Sequence, residues 1–225
     1  MGDNLFKYGK GGIAMIILDI SANTHKNSMS YVKRMIDELV KVDSRKHEVV
    51  IKHQLFTEAG QNIPLQLSVF DFAYWYAEQQ GYQTTASVFD LDSLRFLLTY
   101  DVPFIKIANR PDLYWLAGEV PRKVPVYVST GGAEYPDMAD VLLYCVSKYP
   151  AELKDYKNKM LLNEVQIYQD FIGISDHTID FQLYHKYKPS IYECHYKLSD
   201  STGLDAGSFA RTPEQLKEIL TDSCL

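Results

Sequence analysis

Cysteine is scarce in this sequence. The chain of 225 residues has three cysteines, Cys145, Cys194 and Cys224. Two of them lie inside apolar segments of the kind that form strands. This small, odd number argues against a disulfide framework and predicts reduced thiols in a cytoplasmic protein.

Long apolar runs are also missing. No stretch reaches the ~18 consecutive apolar residues that a membrane-spanning helix needs. The first residues, MGDNLFKYGKGG, lack the apolar core of a signal peptide. We therefore expect no membrane association and treat residues 1–12 as an N-terminal extension.

An excess of positive charge is absent as well. The formal net charge is -6 at pH 7, which argues against a nucleic-acid partner but allows a local basic pocket. Hydrophobic residues make up 46% of the chain. That share is enough for a large core and argues against disorder.

Short apolar runs alternate with helical patterns along the chain. We predict strands at 14–20, 47–54, 82–89, 102–108, 123–130, 140–146, 170–176 and 190–198. Helices are predicted at 28–42, 69–81, 90–100, 111–120, 157–169, 180–188 and 211–220, with the fifth connecting helix reduced to roughly "YPDMA".

Near-continuous apolar strands that are separated by helices pair in parallel. Eight of them predict an α/β fold, a compact (β/α)8 TIM barrel that forms a single domain over residues 1–225. An open doubly wound sheet is the alternative.

Polar residues follow each predicted strand, at the end where barrel enzymes have their active sites. One lysine or histidine in such a place is commonly a snorkelling side chain or a hydrogen-bonded core residue. Eight polar strand ends in register favour a binding site. They are Asp19 and Ser21, Lys52 and Gln54, Thr85 and Ser87, Lys106 and Asn109, Ser129 and Thr130, Ser147 and Lys148, Ser175 with Asp176 and His177, and Glu193 with His195.

Two of these residues are lysines inside apolar runs. Burying the charges of Lys52 and Lys106 is costly unless they have opposite partners. Ser129, Ser175 and the turn "STGG" accompany them. The combination predicts an anion, most simply a phosphate, approached by backbone N–H groups of the glycine-rich turn.

Two histidines end neighbouring predicted strands. His177 and His195 could share one divalent cation, Mn²⁺, Mg²⁺ or Zn²⁺, with positions left for water or a carbonyl oxygen. The alternative is that His177 only caps the helix that follows it.

Several segments together resemble the sialic acid synthase (N-acetylneuraminate synthase) family. "IGISDHT" followed by "ECHY" is similar to the paired signatures of that family. The segments "VVIKHQLF", "ASVFDLDSL", "FIKIA", "VPVYVSTGG" and "LLYCVSKYP" are similar to its other motifs, in the same order. The resemblance runs from about residue 14 to residue 220.

The resemblance implies a (β/α)8 barrel that condenses phosphoenolpyruvate with an aldehyde sugar and releases phosphate. The product would be a sialic-acid-like nonulosonate or a related 2-keto-3-deoxy acid. It implies that His177 and His195 hold a divalent metal, typically Mn²⁺, which polarises the aldehyde as a Lewis acid. With Asp19 these histidines form the expected catalytic set. The expected substrate contacts are Asn23, Lys52, Ser87, Lys106, Asn109, Ser129, Ser147, Ser175 and Asp205.

The sequence also departs from the family pattern. Asp19 stands in place of a longer glutamate, and Pro111 in place of a second glutamate. The family's C-terminal antifreeze-like domain supplies an arginine to the sugar pocket of a partner subunit. The sequence ends at Leu225, so we expect that domain to be missing.

These departures concentrate on the sugar side. We therefore expect that phosphoenolpyruvate is kept as cosubstrate and that the acceptor differs from N-acetylmannosamine. A homodimer or a separate protein could complete the pocket. Two alternatives stay open: a non-catalytic or partner-dependent barrel module that binds an anionic or sugar ligand, and a metal-dependent aldolase or hydrolase.

Overall fold

Eight parallel strands close into one barrel. The computed structural model describes residues 15–45, 47–56, 60–131, 135–156 and 172–221. Within these ranges each strand pairs with the next and the last pairs with the first. The strands are β1 Met15–Asp19, β2 Glu48–Leu55, β3 Gln83–Val88, β4 Ile105–Ile107, β5 Val126–Thr130, β6 Val141–Cys145, β7 Ile172–Asp176 and β8 Ile191–His195. The predicted (β/α)8 TIM barrel is confirmed.

Helices surround the barrel. The α-helices are α1 Ala22–His25, α2 Met29–Val42, α3 Leu67–Gln79, α4 Leu91–Leu97, α5 Gln182–Tyr187 and α6 Pro213–Leu220. In the described ranges, 3-10 helices span Pro111–Glu119, Leu153–Tyr156 and Leu204–Ala206. The segment "YPDMA" forms a turn and no helix. The predicted helix 157–169 and the extension 1–12 lie outside the described residues.

Helix α2 illustrates how local sequence sets the outer layer. The Ser28 side chain accepts a hydrogen bond from the Tyr31 backbone N–H and caps the helix. Val32, Met35 and Leu39 recur at helical spacing and are fully buried. The apolar face of α2 therefore packs inwards, and its charged face meets solvent.

The barrel interior has an apolar floor. Alternate residues of a strand point to opposite faces, so the inward residues form layers. The lowest layers contain apolar side chains, among which the rings of Phe104 and Tyr127 stack with centroids 4.0 Å apart. Gly173 leaves room here, since a Cβ would lie 2.0 Å from Leu143 Cδ2. In the part of the chain that the structure describes, this floor closes one end of the barrel, and the interior opens at the carboxyl ends of the strands.

Among the residues that the structure describes, no helix is both long and apolar enough to cross a membrane.

Candidate active site

A cavity of about 540 Å³ opens at the carboxyl end of the barrel. Its deep wall consists of the inward-facing residues that come directly above the apolar floor. Eleven of the twelve predicted site residues line it, and the exception is Asn23. The eleven are Asp19, Lys52, Ser87, Lys106, Asn109, Ser129, Ser147, Ser175, His177, His195 and Asp205.

Lys52 forms a close, buried ion pair with Asp19 inside the cavity. Its Nζ lies 2.7 Å from Asp19 Oδ2 and 3.5 Å from Glu193 Oε1, and all three side chains are buried. Burial alone would raise the pKa of Asp19, but the Lys52 charge, together with His195 and the hydrogen bonds from Lys52 and Gln54, outweighs burial and lowers that pKa to about 2. Burial alone would lower the pKa of Lys52, and the two carboxylates instead raise it. Both groups are therefore ionised at neutral pH.

Lys106 is less well compensated. Its Nζ donates to Ser129 Oγ at 2.7 Å and to the Ile107 carbonyl at 3.2 Å, and its nearest carboxylate oxygen, Glu193 Oε1, is 3.7 Å away. Burial dominates here and lowers the pKa of Lys106, although Glu193 acts against it. Lys106 is thus a buried cation whose anionic partner, Glu193, is more distant than the partner of Lys52.

Glu193 was predicted only as one of the polar strand ends and was given no catalytic or binding role, yet it connects the two lysines. Its Oε1 accepts a hydrogen bond from Ser175 Oγ at 2.8 Å and lies between Lys52 and Lys106. Burial would raise the pKa of Glu193, but Lys106 and Lys52 lower it. The signal was present in the sequence, because Glu193 and His195 alternate on β8 and must face the same interior.

Three serine hydroxyls surround the charged groups. Ser129 and Ser87 each accept a hydrogen bond from a lysine, with Lys52 Nζ 3.3 Å from Ser87 Oγ. Ser175 donates to Glu193. Each hydroxyl can donate to a ligand oxygen after a rotation, so these serines suit an anion that enters between the lysines.

Asn109 mainly holds the neighbouring strand ends. Its Nδ2 donates to Ser147 Oγ at 3.0 Å and to the Cys145 carbonyl at 3.3 Å, and its Oδ1 accepts from the Gly131 N–H. A Cβ on Gly131 would lie 2.5 Å from the Cys145 carbonyl oxygen. This close approach explains the first glycine of the "STGG" turn; Gly132 lies outside the described residues.

Asn23 acts from behind the cavity wall. Its Nδ2 donates to Asp205 Oδ2 at 2.7 Å and to Asn62 Oδ1 at 2.9 Å, and its Oδ1 accepts from the Ile63 N–H. Asn62 and Asp205 line the cavity, whereas Asn23 does not. The residue therefore positions two polar groups at the cavity mouth, and the structure gives it no direct contact with the cavity.

His177 and His195 lie together at the rim, with ring centroids 5.4 Å apart. His177 Nδ1 lies 2.7 Å from the Val146 carbonyl oxygen, which can only accept, so Nδ1 carries the proton and Nε2 keeps its lone pair. Burial and then His195 lower the pKa of His177 to about 3. His177 is thus neutral, as a metal ligand must be.

The side chains at this rim supply part of the ligand set that a divalent cation needs. His195 Nδ1 is buried without a hydrogen-bond partner among the described residues, and Asp205 Oδ1 lies 3.9 Å from it. Groups of three or more metal-ligating side chains are not found in the described ranges. The two imidazoles could hold a cation whose other ligands come from water or substrate.

Aromatic side chains cover the histidines and the mouth. The Tyr149 ring lies 4.2 Å from the His177 ring and 5.1 Å from the Phe209 ring. The rings of Phe56 and Phe89, 4.0 Å apart, form another part of the lining. Burial of the charged groups is therefore combined with an apolar entrance, which suits a ligand with both anionic and apolar parts.

Comparison with known families gives one match over most of the chain. The model of the NeuB family matches residues 31–223. The match contains seven of the eight strands and every cavity residue described above except Asp19 of the first strand.

Individual relatives agree with this match. N,N'-diacetyllegionaminic acid synthase of Legionella pneumophila is 29% identical over 46% of this chain. The aligned part spans 34%, about a third, of that relative's length.

Two solved structures share the fold. The N-acetylneuraminic acid synthetase of Leptospira borgpetersenii matches with a TM-score of 0.74 and 20% identity, over 93% of this chain and 82% of its own. A spore coat polysaccharide biosynthesis protein of Bacillus subtilis matches with a TM-score of 0.74 and 20% identity, over 96% and 70%. Similarity at this level of identity shows a common barrel.

Proposed function

Because the chain belongs to the NeuB family, we propose that it condenses phosphoenolpyruvate with an aldehyde sugar to form a sialic-acid-like sugar acid and phosphate. The new bond joins the methylene carbon of phosphoenolpyruvate to the aldehyde carbon. Water adds at C2, and phosphate leaves by cleavage of the C–O bond. The observation that carries the proposal is the pair of buried lysines at the closed end of the cavity.

The lysines would hold phosphoenolpyruvate. Among the described residues, the carboxylate oxygen nearest to Lys106 Nζ is Glu193 Oε1 at 3.7 Å, so a closer anion would stabilise the Lys106 charge. Lys52 stands on the other side of Glu193. Hydroxyls of Ser129, Ser87 and Ser175 would donate to the phosphate or carboxylate oxygens.

His177 and His195 would hold a divalent cation, most simply Mn²⁺, with Mg²⁺ and Zn²⁺ as alternatives. When bound, the cation supplies Lewis-acid polarisation of the aldehyde oxygen. The Val146 carbonyl fixes the ring of His177 and directs its Nε2 away from the backbone.

Asp19 would act as a hydrogen-bond acceptor for the reacting groups. Its Oδ2 is engaged by Lys52 and Gln54, while its Oδ1 is buried without a partner among the described residues. A carboxyl with a pKa of about 2 stays ionised. It can therefore orient a substrate hydroxyl or water but is a weak proton donor at neutral pH.

The acceptor side would select a sugar other than N-acetylmannosamine. Pro111 begins a 3-10 helix at the position where a glutamate was expected from the resemblance, and Arg110 lines the mouth nearby. The Legionella relative is named for a different sugar acid. A homodimer or a separate protein that completes the pocket, and a cytoplasmic location, remain predictions.

Calorimetric titration of phosphoenolpyruvate with Mn²⁺ tests the proposal. We expect micromolar binding by the wild type, loss of binding in Lys106→Ala, and retained phosphoenolpyruvate binding with weakened Mn²⁺ binding in a His177→Ala, His195→Ala double variant. Phosphate release with a panel of aldehyde sugars then identifies the acceptor.

A defined result would contradict the enzyme proposal. If the wild type binds phosphoenolpyruvate but releases no phosphate with any aldehyde, even with candidate partner proteins added, the chain is a binding module. If it binds neither phosphoenolpyruvate nor Mn²⁺, the proposed use of the lysines and histidines is wrong.

A further inference from the structure

Glu193 occupies the place that a bound anion needs. Its Oε1 lies 2.8 Å from Ser175 Oγ, 3.5 Å from Lys52 Nζ and 3.7 Å from Lys106 Nζ. A phosphate or carboxylate oxygen that enters between the lysines would use the same three donors. One buried carboxylate oxygen of the chain itself therefore stands where a ligand oxygen has to go.

The charges of the free cavity already balance. Lys52 and Lys106 contribute two positive charges, and Asp19 and Glu193 contribute two negative ones. A phosphate or phosphoenolpyruvate adds at least one further negative charge to a buried region, and such a charge is costly without a free cation. Both lysines can pair fully with the ligand only if one of the two carboxylates moves away from them.

Of the two carboxylates, Glu193 is the more weakly held. Asp19 Oδ2 accepts from Lys52 at 2.7 Å and from Gln54 at 2.9 Å. Glu193 has one neutral hydrogen bond, from Ser175, and two longer ionic contacts. Its Oε2 is buried with no partner among the described residues. Rotation of the Glu193 side chain thus breaks fewer close contacts than movement of Asp19.

We propose that Glu193 is a built-in competitor of the anionic ligand, which holds the lysines in the free protein and turns away from them when the anion binds. The identity of the anion rests on the proposed function. The carboxylate also returns to the lysines after the reaction and so favours the departure of phosphate. Glu193 would set a moderate affinity and limit inhibition by the product.

Anion affinity in Glu193→Gln tests this role. Titration with inorganic phosphate and with phosphoenolpyruvate, at one pH and ionic strength, compares the variant with the wild type. Since one buried negative charge is removed beside both lysines, we expect both anions to bind tighter by roughly tenfold or more. Phosphate should also become a stronger inhibitor of turnover.

Glu38→Gln is the matched control, because it makes the same change in net charge on α2, where Glu38 pairs with Lys41 at the surface. Its anion affinity should equal that of the wild type. Circular dichroism shows whether Glu193→Gln folds. If it does not, Glu193→Ala is compared with the wild type instead.

The outcomes separate this inference from the proposed function. If the wild type binds phosphoenolpyruvate and Glu193→Gln binds it equally or more weakly, Glu193 is a support for the lysines and the competitor role is wrong. If Glu193→Gln binds phosphoenolpyruvate and the wild type does not, the competitor role of Glu193 is supported. If neither protein binds phosphate or phosphoenolpyruvate, both proposals fall.

Discussion

Lys52 and Lys106 are chemically identical residues that the barrel places in different environments. Lys52 has a carboxylate at 2.7 Å, whereas the nearest one to Lys106 is at 3.7 Å. The pKa of Lys52 is raised and that of Lys106 is lowered accordingly. Lys52 is thus part of the stable charge network, and Lys106 carries the charge that a ligand would neutralise.

Methionine substitutions should separate these roles. Lys52→Met leaves Asp19 as a buried carboxylate without its cation, so we expect a loss of about 3–5 kcal/mol in the free energy of unfolding. Lys106→Met leaves Glu193 next to Lys52 and should change stability by no more than about 1 kcal/mol, while phosphate binding is lost. Urea unfolding measures the stability of both variants, and equal losses of stability would contradict this assignment of roles.

At the scale of elements, Arg211 joins the two strands that carry the histidines. Its backbone N–H donates to the His195 carbonyl at 2.8 Å. Its guanidinium donates to the Thr178 carbonyl at 2.7 Å and lies 3.6 Å from Asp176 Oδ2. One fully buried residue therefore connects the end of β8, which carries His195, with the turn after β7, which carries His177.

Arg211→Met should destabilise the protein strongly. It leaves the Asp176 carboxylate buried without its cation, although the hydrogen bonds from Tyr192 and the Thr178 N–H remain, and we expect a loss of about 3–5 kcal/mol.

A double variant with Asp176→Asn provides the test of cause. The uncompensated charge is absent from the double variant. Its free energy of unfolding, measured by thermal or urea unfolding, should therefore fall by less than the sum of the falls in the two single variants. Additive losses would mean that Arg211 acts through its carbonyl contacts alone.

At the scale of the whole molecule, buried neutral histidines make stability depend on pH. Burial lowers the pKa of His25 to about 3 and that of His53 to about 4. In the unfolded chain both groups take up protons near pH 6.5. Below that pH the unfolded state binds more protons, so stability falls as the pH drops towards these lowered pKa values.

We therefore expect the free energy of unfolding to decline steadily between pH 6.5 and 4, with about 3 kcal/mol of the decline due to His53. His53→Phe should reduce the slope, since phenylalanine keeps the ring contact with Phe70 and does not titrate. An unchanged slope in His53→Phe would contradict the explanation.

The sequence by itself determined the order of strands and helices, because periodicity and capping act within a few residues. Alternation along each strand also placed Lys52, Lys106 and the serines on one interior surface. Element ends were less well predicted: the expected strand 102–108 shortens to Ile105–Ile107. The short helix α1, which carries Asn23, has too few residues to show a period.

Only the tertiary structure decided how the polar groups pair. Glu193 meets Lys52 and Lys106 because β8, β2 and β4 face each other across the closed barrel. Asn23 supports Asp205 because two short helices, α1 and the 3-10 helix Leu204–Ala206, converge at the mouth although the two residues are 182 apart in sequence. Such contacts depend on distances between distant segments, and local pattern does not encode them. That is why the lysines and the polar strand end Glu193 could be predicted from the sequence, whereas the pairing of Glu193 with both lysines appeared only in the fold.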